Sequence, residues 1–269
     1  NLILMRSIFQ MGVPVGGKNI FPSNIQGLPT WFTIRANKDG WTARRADTDI
    51  MIAMNPQSAV DDIRGLKPGA ILILNESLKP FLNRDDLNVY VVPFDKLVVP
   101  VCPDGRLRRL VVNMMYVGVV SWLLHIDMGE VQKAIRRQFG NKPKAIELNS
   151  NAAVTGYQWA AENLQRQNRY RIERMSGWTE NKVIMEGNMA TALGLLYGGL
   201  TVLAWYPITP SSSVCENAIN LLGKYRHDPE TGKATFAVVQ AEDELAAIGI
   251  VVGAGWAGAR AATATSGPG

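Results

Sequence analysis

The chain has 269 residues, of which 47% are hydrophobic, and a formal net charge of +5. This length and composition indicate a globular protein of about two domains. Its two cysteines, Cys102 and Cys215, exclude a disulfide framework and a metal or iron-sulfur site built from this chain alone. No run approaches the roughly 18 consecutive apolar residues of a membrane helix, and no basic stripe interleaved with aromatic residues indicates nucleic-acid binding. We therefore expect a protein of the reducing cytoplasm, with neither a membrane nor nucleic acid as a partner.

The first part of the chain, residues 1–168, is predicted to be an α/β domain. Apolar residues at helical spacing predict a first helix over Leu2–Met11. Short β-branched or aromatic runs joined by helix-length connections then predict a parallel sheet, and these runs are Thr30–Ala36, Asp49–Met54, Gly69–Asn75 and Leu87–Pro93. Helical periodicity predicts closing helices over Arg106–Leu124, Asp127–Phe139 and Asn149–Asn168.

A glycine-rich segment after the first helix, Gly12–Asn19, has the glycine and lysine spacing of a phosphate-binding loop. Two features weigh against a nucleoside triphosphate site there. Asn19 stands where a serine or threonine would ligate magnesium, and a helix rather than a strand is predicted before the segment. A helix-to-strand connection without chemistry is therefore the favoured interpretation.

Residues 169–182 are polar and aperiodic and are predicted to link the first domain to a second, residues 183–269. Strand and helix alternate again in this second domain, which predicts another α/β unit with a mainly parallel sheet. The predicted strands are Leu200–Trp205, Thr235–Val239 and Arg260–Ala264, and the helices before, between and after the first two include Gly187–Gly198 and Val214–Tyr225. Both ends of the sequence fall within predicted elements, so we expect this chain to be part of a longer polypeptide.

A hydroxyl-rich segment, Tyr206–Ser213 with the sequence YPITPSSS, directly follows the first predicted strand of the second domain. Its prolines hold the backbone extended where the strand ends. Helix capping by Thr209 or a serine would explain one hydroxyl, but the segment carries four hydroxyls within five positions, Thr209–Ser213. The pattern therefore predicts a ligand-binding loop at a strand end.

Acidic residues follow the next predicted strand at Glu242, Asp243 and Glu244. Stabilisation by the dipole of the following helix is a sufficient reason for acidic residues in a first turn. That helix, however, consists almost wholly of small and aliphatic residues that allow close approach of a neighbour or ligand. A carboxyl group on such a helix is expected to be partly desolvated, and partial desolvation favours acid–base chemistry.

Other polar residues give weaker signals. Thr263, Thr265 and Ser266 precede a Gly-Pro-Gly turn at Gly267–Gly269, whose amides either meet an anion or only turn the chain. His125 and His227 lie away from both polar loops, and structural or surface roles are expected for them. These residues therefore do not change the two main candidates, the hydroxyl loop and the acidic helix start.

The motifs GNMATALGLLYGG, YPITPSS, QAEDELAAIG, GAGWAGARA and TATSGPG occur in this order over about residues 186–269. Together they resemble the α subunit of the 2-oxoacid:ferredoxin oxidoreductases, which are thiamine-diphosphate enzymes. Residues 1–168, with GLPTWFTIRA and ADTDIMIAMN, resemble more weakly the γ domain of that family. In 2-oxoglutarate-type members this domain is fused in front of α, so the resemblance favours 2-oxoglutarate as substrate and leaves pyruvate and branched-chain 2-oxoacids open.

The resemblance implies that the second domain is the N-terminal part of a domain that binds the pyrimidine half of thiamine diphosphate. Glu244 would hydrogen-bond the pyrimidine ring and favour the tautomer that removes the thiazolium proton, with Glu242 as the rival for this role. Thr209 would contact the substrate carboxylate or the reactive ring, and Pro207 and Ile208 would shape the pocket. The catalytic residues would thus be Glu244 and Thr209.

The resemblance also implies a heteromeric enzyme. A β subunit would supply the diphosphate-binding magnesium site and the cysteines of an iron-sulfur cluster, since neither motif occurs in this chain. Coenzyme A would take the acyl group, ferredoxin would take the electrons, and the assembly would be a dimer of heterodimers. An arginine for the substrate carboxylate would lie beyond Gly269. A non-catalytic assembly subunit of such a complex stays open as an alternative.

Overall fold

The computed structural model describes residues 1–20 and 28–267. Two compact units divide the chain, Asn1–Val183 and Ile184–Gly269. The predicted Gly-Pro-Gly turn extends to Gly269, so its last two residues lie outside the described part of the chain. Each unit has its own buried apolar core, and each is an α/β structure containing a parallel sheet.

The first unit contains five strands and six α-helices within the described residues, in an order close to the predicted one. The strands are β1 (Val15–Ile20), β2 (Trp31–Ala36), β3 (Ile50–Ala53), β4 (Ile71–Asn75) and β5 (Asn88–Val92). The helices are α1 (Leu2–Gln10), α2 (Ala59–Arg64), α3 (Phe94–Val101), α4 (Gly105–Leu124), α5 (Met128–Phe139) and α6 (Pro143–Asn163), with a 3-10 helix at Glu76–Phe81.

The parallel sheet of the first unit has the order β3-β4-β5. Its central strand, β4, is an unbroken ILILN run in which all five residues are buried, as expected for a strand covered on both faces. The prediction that Thr30–Ala36 joins this sheet is wrong. Strand β2 instead pairs antiparallel with β1 in a separate two-stranded sheet, where Val15 lies opposite Ala36.

The same antiparallel pair removes the phosphate-loop alternative and corrects the predicted connection at Gly12–Asn19. Gly16, Gly17 and Lys18 lie within β1, where their backbone pairs with β2 instead of forming a loop that could surround a phosphate. Close packing gives the physical reason for one glycine, because a Cβ on Gly17 would lie 2.5 Å from Met5 Sδ and 2.8 Å from the Phe32 ring.

Helices α4 and α6 pack against each other in the core of the first unit. A Cβ on Gly118 would collide with the carbonyl oxygen of Ala153, and a Cβ on Gly156 would collide with that of Met115. The glycines therefore let the two backbones approach closely. Helix α4 is long and apolar enough to cross a membrane by length and composition, which the sequence analysis did not anticipate, but it is mostly buried here. Helix α6 begins and ends earlier than the predicted Asn149–Asn168.

The predicted linker, residues 169–182, is hydrogen-bonded along the first unit. The amide of Ile172 donates to Leu124 O at 2.7 Å, and that of Met175 donates to Met11 O at 2.8 Å. Between them, Arg174 Nη2 lies 2.9 Å from Asp127 Oδ2 and 3.0 Å from the buried Glu130 Oε1. These backbone and ionic contacts attach the polar segment to the unit, and aperiodicity in the sequence does not reveal them.

The second unit contains a three-stranded sheet with the order β7-β6-β8, in which both pairs are parallel. Its strands are β6 (Val202–Trp205), β7 (Ala237–Gln240) and β8 (Ala261–Ala262), and its helices are α7 (Gly187–Tyr197), α8 (Ser212–Tyr225) and α9 (Glu244–Trp256). The predicted alternation is confirmed, although β8 is shorter than the predicted Arg260–Ala264. Side chains of α7, α8 and the sheet form the core of this unit.

Candidate active site

Polar side chains gather at one edge of the sheet in the second unit. Because the three strands are parallel, their carboxyl ends lie at the same edge. Tyr206 follows the central strand β6, Glu244 follows β7, and Thr263 and Thr265 follow β8. In open α/β sheets, ligands bind outside the carboxyl ends of the strands. The fold therefore brings the two predicted stretches and a third one to a position suited to a ligand.

The serines after β6 hold the shape of the hydroxyl loop. The Ser211 and Ser212 hydroxyls donate to Ile208 O at 3.0 and 3.1 Å, and the Ile208 amide donates to Ser212 Oγ at 2.8 Å. Asn188 on α7 holds the far end of the loop, because its Nδ2 donates to Ser213 Oγ at 2.6 Å and to Pro210 O at 3.0 Å. The capping alternative is wrong for Ser211, the residue at the N-cap of α8, whose side chain caps no amide.

Because the serine hydroxyls are hydrogen-bonded within the loop, Thr209 is the hydroxyl of this segment that could contact a ligand. Thr209 is exposed, and its hydroxyl has no hydrogen-bond partner among the residues that the structure describes. Pro207 is also exposed, and Ile208 is half-buried with its backbone engaged by the serines. The loop thus presents Thr209 and Pro207 to solvent and uses Ile208 as its internal anchor.

The acidic triplet has a different environment at each position. Asp243 caps helix α9, where its Oδ1 accepts from the Ala246 amide at 2.8 Å. Glu242 lies in the preceding loop and is exposed, whereas Glu244 is the first residue of the helix and is half-buried. Asp243 is therefore the helix cap, and the helix-dipole explanation applies to Glu244, which lies in the first turn of α9. Glu244 is also the carboxylate of the three that the fold partly withdraws from water.

Tyr206 is hydrogen-bonded to the strand β8 side of the site and lies near this carboxylate. The Tyr206 side chain is buried, and its Oη lies 2.5 Å from Thr265 Oγ1. Burial raises the pKa of the Tyr206 hydroxyl, and the neighbouring Glu244 carboxylate raises this pKa further. The hydroxyl consequently stays protonated at neutral pH. Sequence reasoning did not select Tyr206 or its contact with Thr265, although a tyrosine directly after an apolar strand is a usable signal for a polar group at a sheet edge.

The residues at this edge fit the ring that the sequence resemblance predicts. Glu244 offers a half-buried carboxylate, which accepts hydrogen bonds from ring N–H groups. The Thr263 hydroxyl, directly after β8, is buried and lacks a hydrogen-bond partner within residues 1–20 and 28–267, and a polar atom left in this state calls for a partner such as a ligand. Within the same residues, the structure shows no cluster of three or more metal-ligating side chains.

Comparison with known proteins matches both units to one enzyme family. The family model described as pyruvate ferredoxin/flavodoxin oxidoreductase matches residues 1–159. The model described as pyruvate flavodoxin/ferredoxin oxidoreductase, thiamine diphosphate-binding, matches residues 194–269. The second match contains Tyr206, Thr209, Glu244 and Thr265, so the edge described above lies in a thiamine diphosphate-binding domain.

Similar proteins agree with this match. The α subunit of 2-oxoacid:ferredoxin oxidoreductase 2 from Aeropyrum pernix is 27% identical over 99% of this chain and 48% of its own length. Subunit KorA of the 2-oxoglutarate oxidoreductase from Mycobacterium tuberculosis is 28% identical over 82% of this chain and 36% of its own length. This chain therefore spans about half or less of these curated relatives.

Among solved structures, the 2-oxoglutarate:ferredoxin oxidoreductase from Magnetococcus marinus, with 2-oxoglutarate, coenzyme A and succinyl-CoA bound, superposes with a TM-score of 0.78. The two are 25% identical, and the match covers 99% of this chain and 44% of that one. The two family-model matches and the similarity of the fold lead to one assignment. The chain belongs to the pyruvate ferredoxin/flavodoxin oxidoreductase family.

Proposed function

We propose that this chain is a γ-α subunit of a 2-oxoacid:ferredoxin oxidoreductase that oxidatively decarboxylates a 2-oxoacid to acyl-CoA and carbon dioxide. Residues 1–168 would be the γ-like domain, and residues 183–269 the N-terminal part of the pyrimidine-binding domain. The observation that carries the proposal is that Glu244, Tyr206 and the Thr263 hydroxyl, which has no hydrogen-bond partner in the described part of the chain, meet at one sheet edge inside a thiamine diphosphate-binding match.

Thiamine diphosphate, when bound, supplies the nucleophilic carbon and the electron sink that the decarboxylation of a 2-oxoacid needs. This chain would contribute the polar groups around the pyrimidine ring. Glu244 would hydrogen-bond the ring and exchange a proton with it, and its half-buried position would strengthen that interaction because less water competes for the carboxylate. Glu242, which is exposed, is the weaker candidate for this role.

Thr209 would bind the substrate carboxylate or the reactive ring. Its exposed hydroxyl is held in place by a loop whose serines and Asn188 are bonded to one another and to the backbone. Pro207 and Ile208 would form the wall of the same pocket. An exposed hydroxyl presented by a hydrogen-bonded loop in this way would orient a substrate before the reaction.

The substrate that the relatives favour is 2-oxoglutarate. A 2-oxoglutarate oxidoreductase subunit and a structure with bound 2-oxoglutarate are both similar to this chain. The relative from Aeropyrum pernix has the broader name 2-oxoacid:ferredoxin oxidoreductase, so pyruvate and branched-chain 2-oxoacids belong in the same assay. Coenzyme A would accept the acyl group.

We further propose that the enzyme is a dimer of heterodimers in the cytoplasm. The partner β subunit would carry magnesium, the diphosphate of the cofactor and an iron-sulfur cluster, and ferredoxin would receive the electrons. Support for a partner comes from the curated relatives, which are named as subunits, one of them as subunit α. The two cysteines of this chain are free and buried, which agrees with a cluster held elsewhere in the complex.

The test is an assay of the complete complex, made by co-expressing the full-length subunit with its partner. We expect reduction of ferredoxin or a viologen dye that depends on both a 2-oxoacid and coenzyme A. Glu244→Gln should lower this rate at least about 100-fold, the scale of a lost proton-transfer group. The matched control is Glu242→Gln, two residues away and exposed, which should leave the rate nearly unchanged.

Three results would contradict the proposal or one of its assignments. A complex that binds thiamine diphosphate and turns over no 2-oxoacid would remove the enzymatic function. Full activity in the Glu244→Gln complex would instead favour the alternative of a non-catalytic assembly subunit. Equal losses for Glu242→Gln and Glu244→Gln would show that assigning the proton exchange to Glu244 alone is wrong.

A further inference from the structure

Tyr206 stands at the centre of the candidate site, and the proposed function gives it no role. It follows the central strand β6, its side chain is 7% exposed, and Thr265 lies 59 residues further along the chain at the end of the adjacent strand β8. The 2.5 Å separation of Tyr206 Oη and Thr265 Oγ1 therefore fixes the hydroxyl through a contact between two strand ends. A buried tyrosine normally places its hydroxyl against a partner in this way.

The Tyr206 hydroxyl is hydrogen-bonded to Thr265, and the Glu244 carboxylate lies near enough to raise the pKa of this hydroxyl. These two groups determine where the single proton of the tyrosine goes. A carboxylate such as Glu244 can only accept a hydrogen bond, whereas each hydroxyl has one proton to donate and can also accept. If Tyr206 donates to Glu244, then Thr265 donates to Tyr206, and every group is satisfied. If Tyr206 instead donated to Thr265, the Glu244 carboxylate would face the phenol oxygen with no proton between them, which is unfavourable.

This chain of donors would give the carboxylate a fixed orientation. Burial and the Glu244 charge both raise the pKa of the Tyr206 hydroxyl, so the hydroxyl remains a donor across the neutral range. Asp243 next to Glu244 is already held by the Ala246 amide at 2.8 Å and does not compete for the tyrosine proton. One oxygen of Glu244 can thus be held by Tyr206 while the other stays available to a ligand.

We infer that Tyr206, anchored by Thr265, is a positioning residue that orients the Glu244 carboxylate toward the pyrimidine ring of thiamine diphosphate. The inference rests on the proposed function. It extends that function by naming two residues that act through Glu244 and need no contact with the substrate. A carboxylate that rotates freely would spend part of its time in orientations that cannot exchange a proton with the ring, and pre-organisation removes that loss.

The test uses the complete complex with its partner subunit and bound thiamine diphosphate, without any 2-oxoacid. Exchange of the thiazolium C2 proton with D2O, followed by acid quenching and NMR, reports on the proton transfer that Glu244 supports and is independent of turnover. Tyr206→Phe keeps the ring and removes only the hydroxyl. We expect it to slow this exchange about tenfold, the effect of losing one hydrogen bond to a charged group.

Two further sets of variants separate positioning from packing. Thr265→Val removes the hydroxyl and keeps the shape, so it should slow the exchange, whereas Thr265→Ser keeps the hydroxyl and should restore it to near the unaltered rate. A packing role would reverse this order. The matched control is Tyr197→Phe, which removes a tyrosine hydroxyl from the same unit at a side chain that is 87% exposed, and should change nothing. The KM for the 2-oxoacid should stay constant while kcat falls.

Each outcome decides the inference. Unchanged exchange in both Tyr206→Phe and Thr265→Val overturns it, while leaving the proposed function intact if the unaltered complex exchanges rapidly and Glu244→Gln does not. If Tyr206→Phe fails to assemble, the order of the Thr265 variants decides alone. A failure of the unaltered complex to bind thiamine diphosphate would overturn the proposed function itself, and the inference with it.

Discussion

The two units share a fold class but differ in how they use their apolar helices. In the first unit, helix α4 is buried and its Gly118 lies against the backbone of α6. In the second unit, helix α9 is at least as apolar, yet Leu245, Val252 and Trp256 are 76%, 64% and 95% exposed. Apolar composition with interspersed glycine therefore does not indicate burial by itself. The neighbours that each helix meets decide how it is packed.

The sharpest contrast between the units should come from the same substitution made in each helix. Gly118→Ala places a Cβ against the Ala153 carbonyl and forces α4 and α6 apart, which we expect to cost about 4 kcal/mol, above the usual overpacking range because backbone atoms are met. A Cβ on Gly253 of α9 would meet no described residue within 4 Å, so Gly253→Ala should stabilise by up to about 1 kcal/mol through helix propensity. Urea unfolding of the two variants measures both, and effects of the same sign would remove the contrast.

Truncating a leucine in each of the same two helices should give a smaller difference in unfolding free energy. Leu123 on α4 is 3% exposed, so Leu123→Ala should cost about 3 kcal/mol through lost burial and the cavity left behind. Leu245→Ala on α9 removes a side chain that already faces solvent and should change the unfolding free energy by less than about 0.5 kcal/mol. A large loss at Leu245 would show that the exposed face of α9 is covered in the folded protein.

The smallest effect concerns charge at the start of helix α5. The Gly129 amide and then Arg174 lower the pKa of Asp127, the N-cap residue of that helix. A lowered folded-state pKa contributes stability that is present above the unfolded value of about 3.9 and is lost as the pH falls through the folded-state pKa. Asp127→Asn keeps the cap and removes the charge, so unfolding free energy should depend less on pH in the acidic range.

Because the Asp127 side chain is 48% exposed, water screens this interaction, and we expect a loss of only about 0.5 kcal/mol at neutral pH. Urea unfolding at pH 7 and at pH 3 checks the change in slope. The matched variant in the second unit is Asp228→Asn, because the Thr231 amide and hydroxyl lower the pKa of Asp228 in a surface turn. A pH dependence in the Asp127→Asn variant equal to that of the unaltered chain would contradict the assignment.

The sequence predicted much of the architecture because its local signals agree with the tertiary packing. The apolar run at Ile71–Asn75, the alternation of strand and helix, and the order of motifs over the second unit all lead to parallel α/β units. It also predicted that Tyr206–Ser213 and the Glu242–Glu244 triplet follow strands. In a parallel sheet such segments meet at the carboxyl edge whatever their separation along the chain.

The tertiary structure decided which side chain at each position faces that edge. The three neighbouring acidic residues cannot be told apart by local sequence. In the structure, Glu242 is exposed to solvent, Asp243 caps a helix, and Glu244 is half-buried near Tyr206. Likewise, most of the glycine-rich segment Gly12–Asn19 lies in strand β1 because it pairs with strand β2. Such outcomes depend on contacts between residues far apart in sequence, as between Tyr206 and Thr265, and local composition carries no information about those contacts.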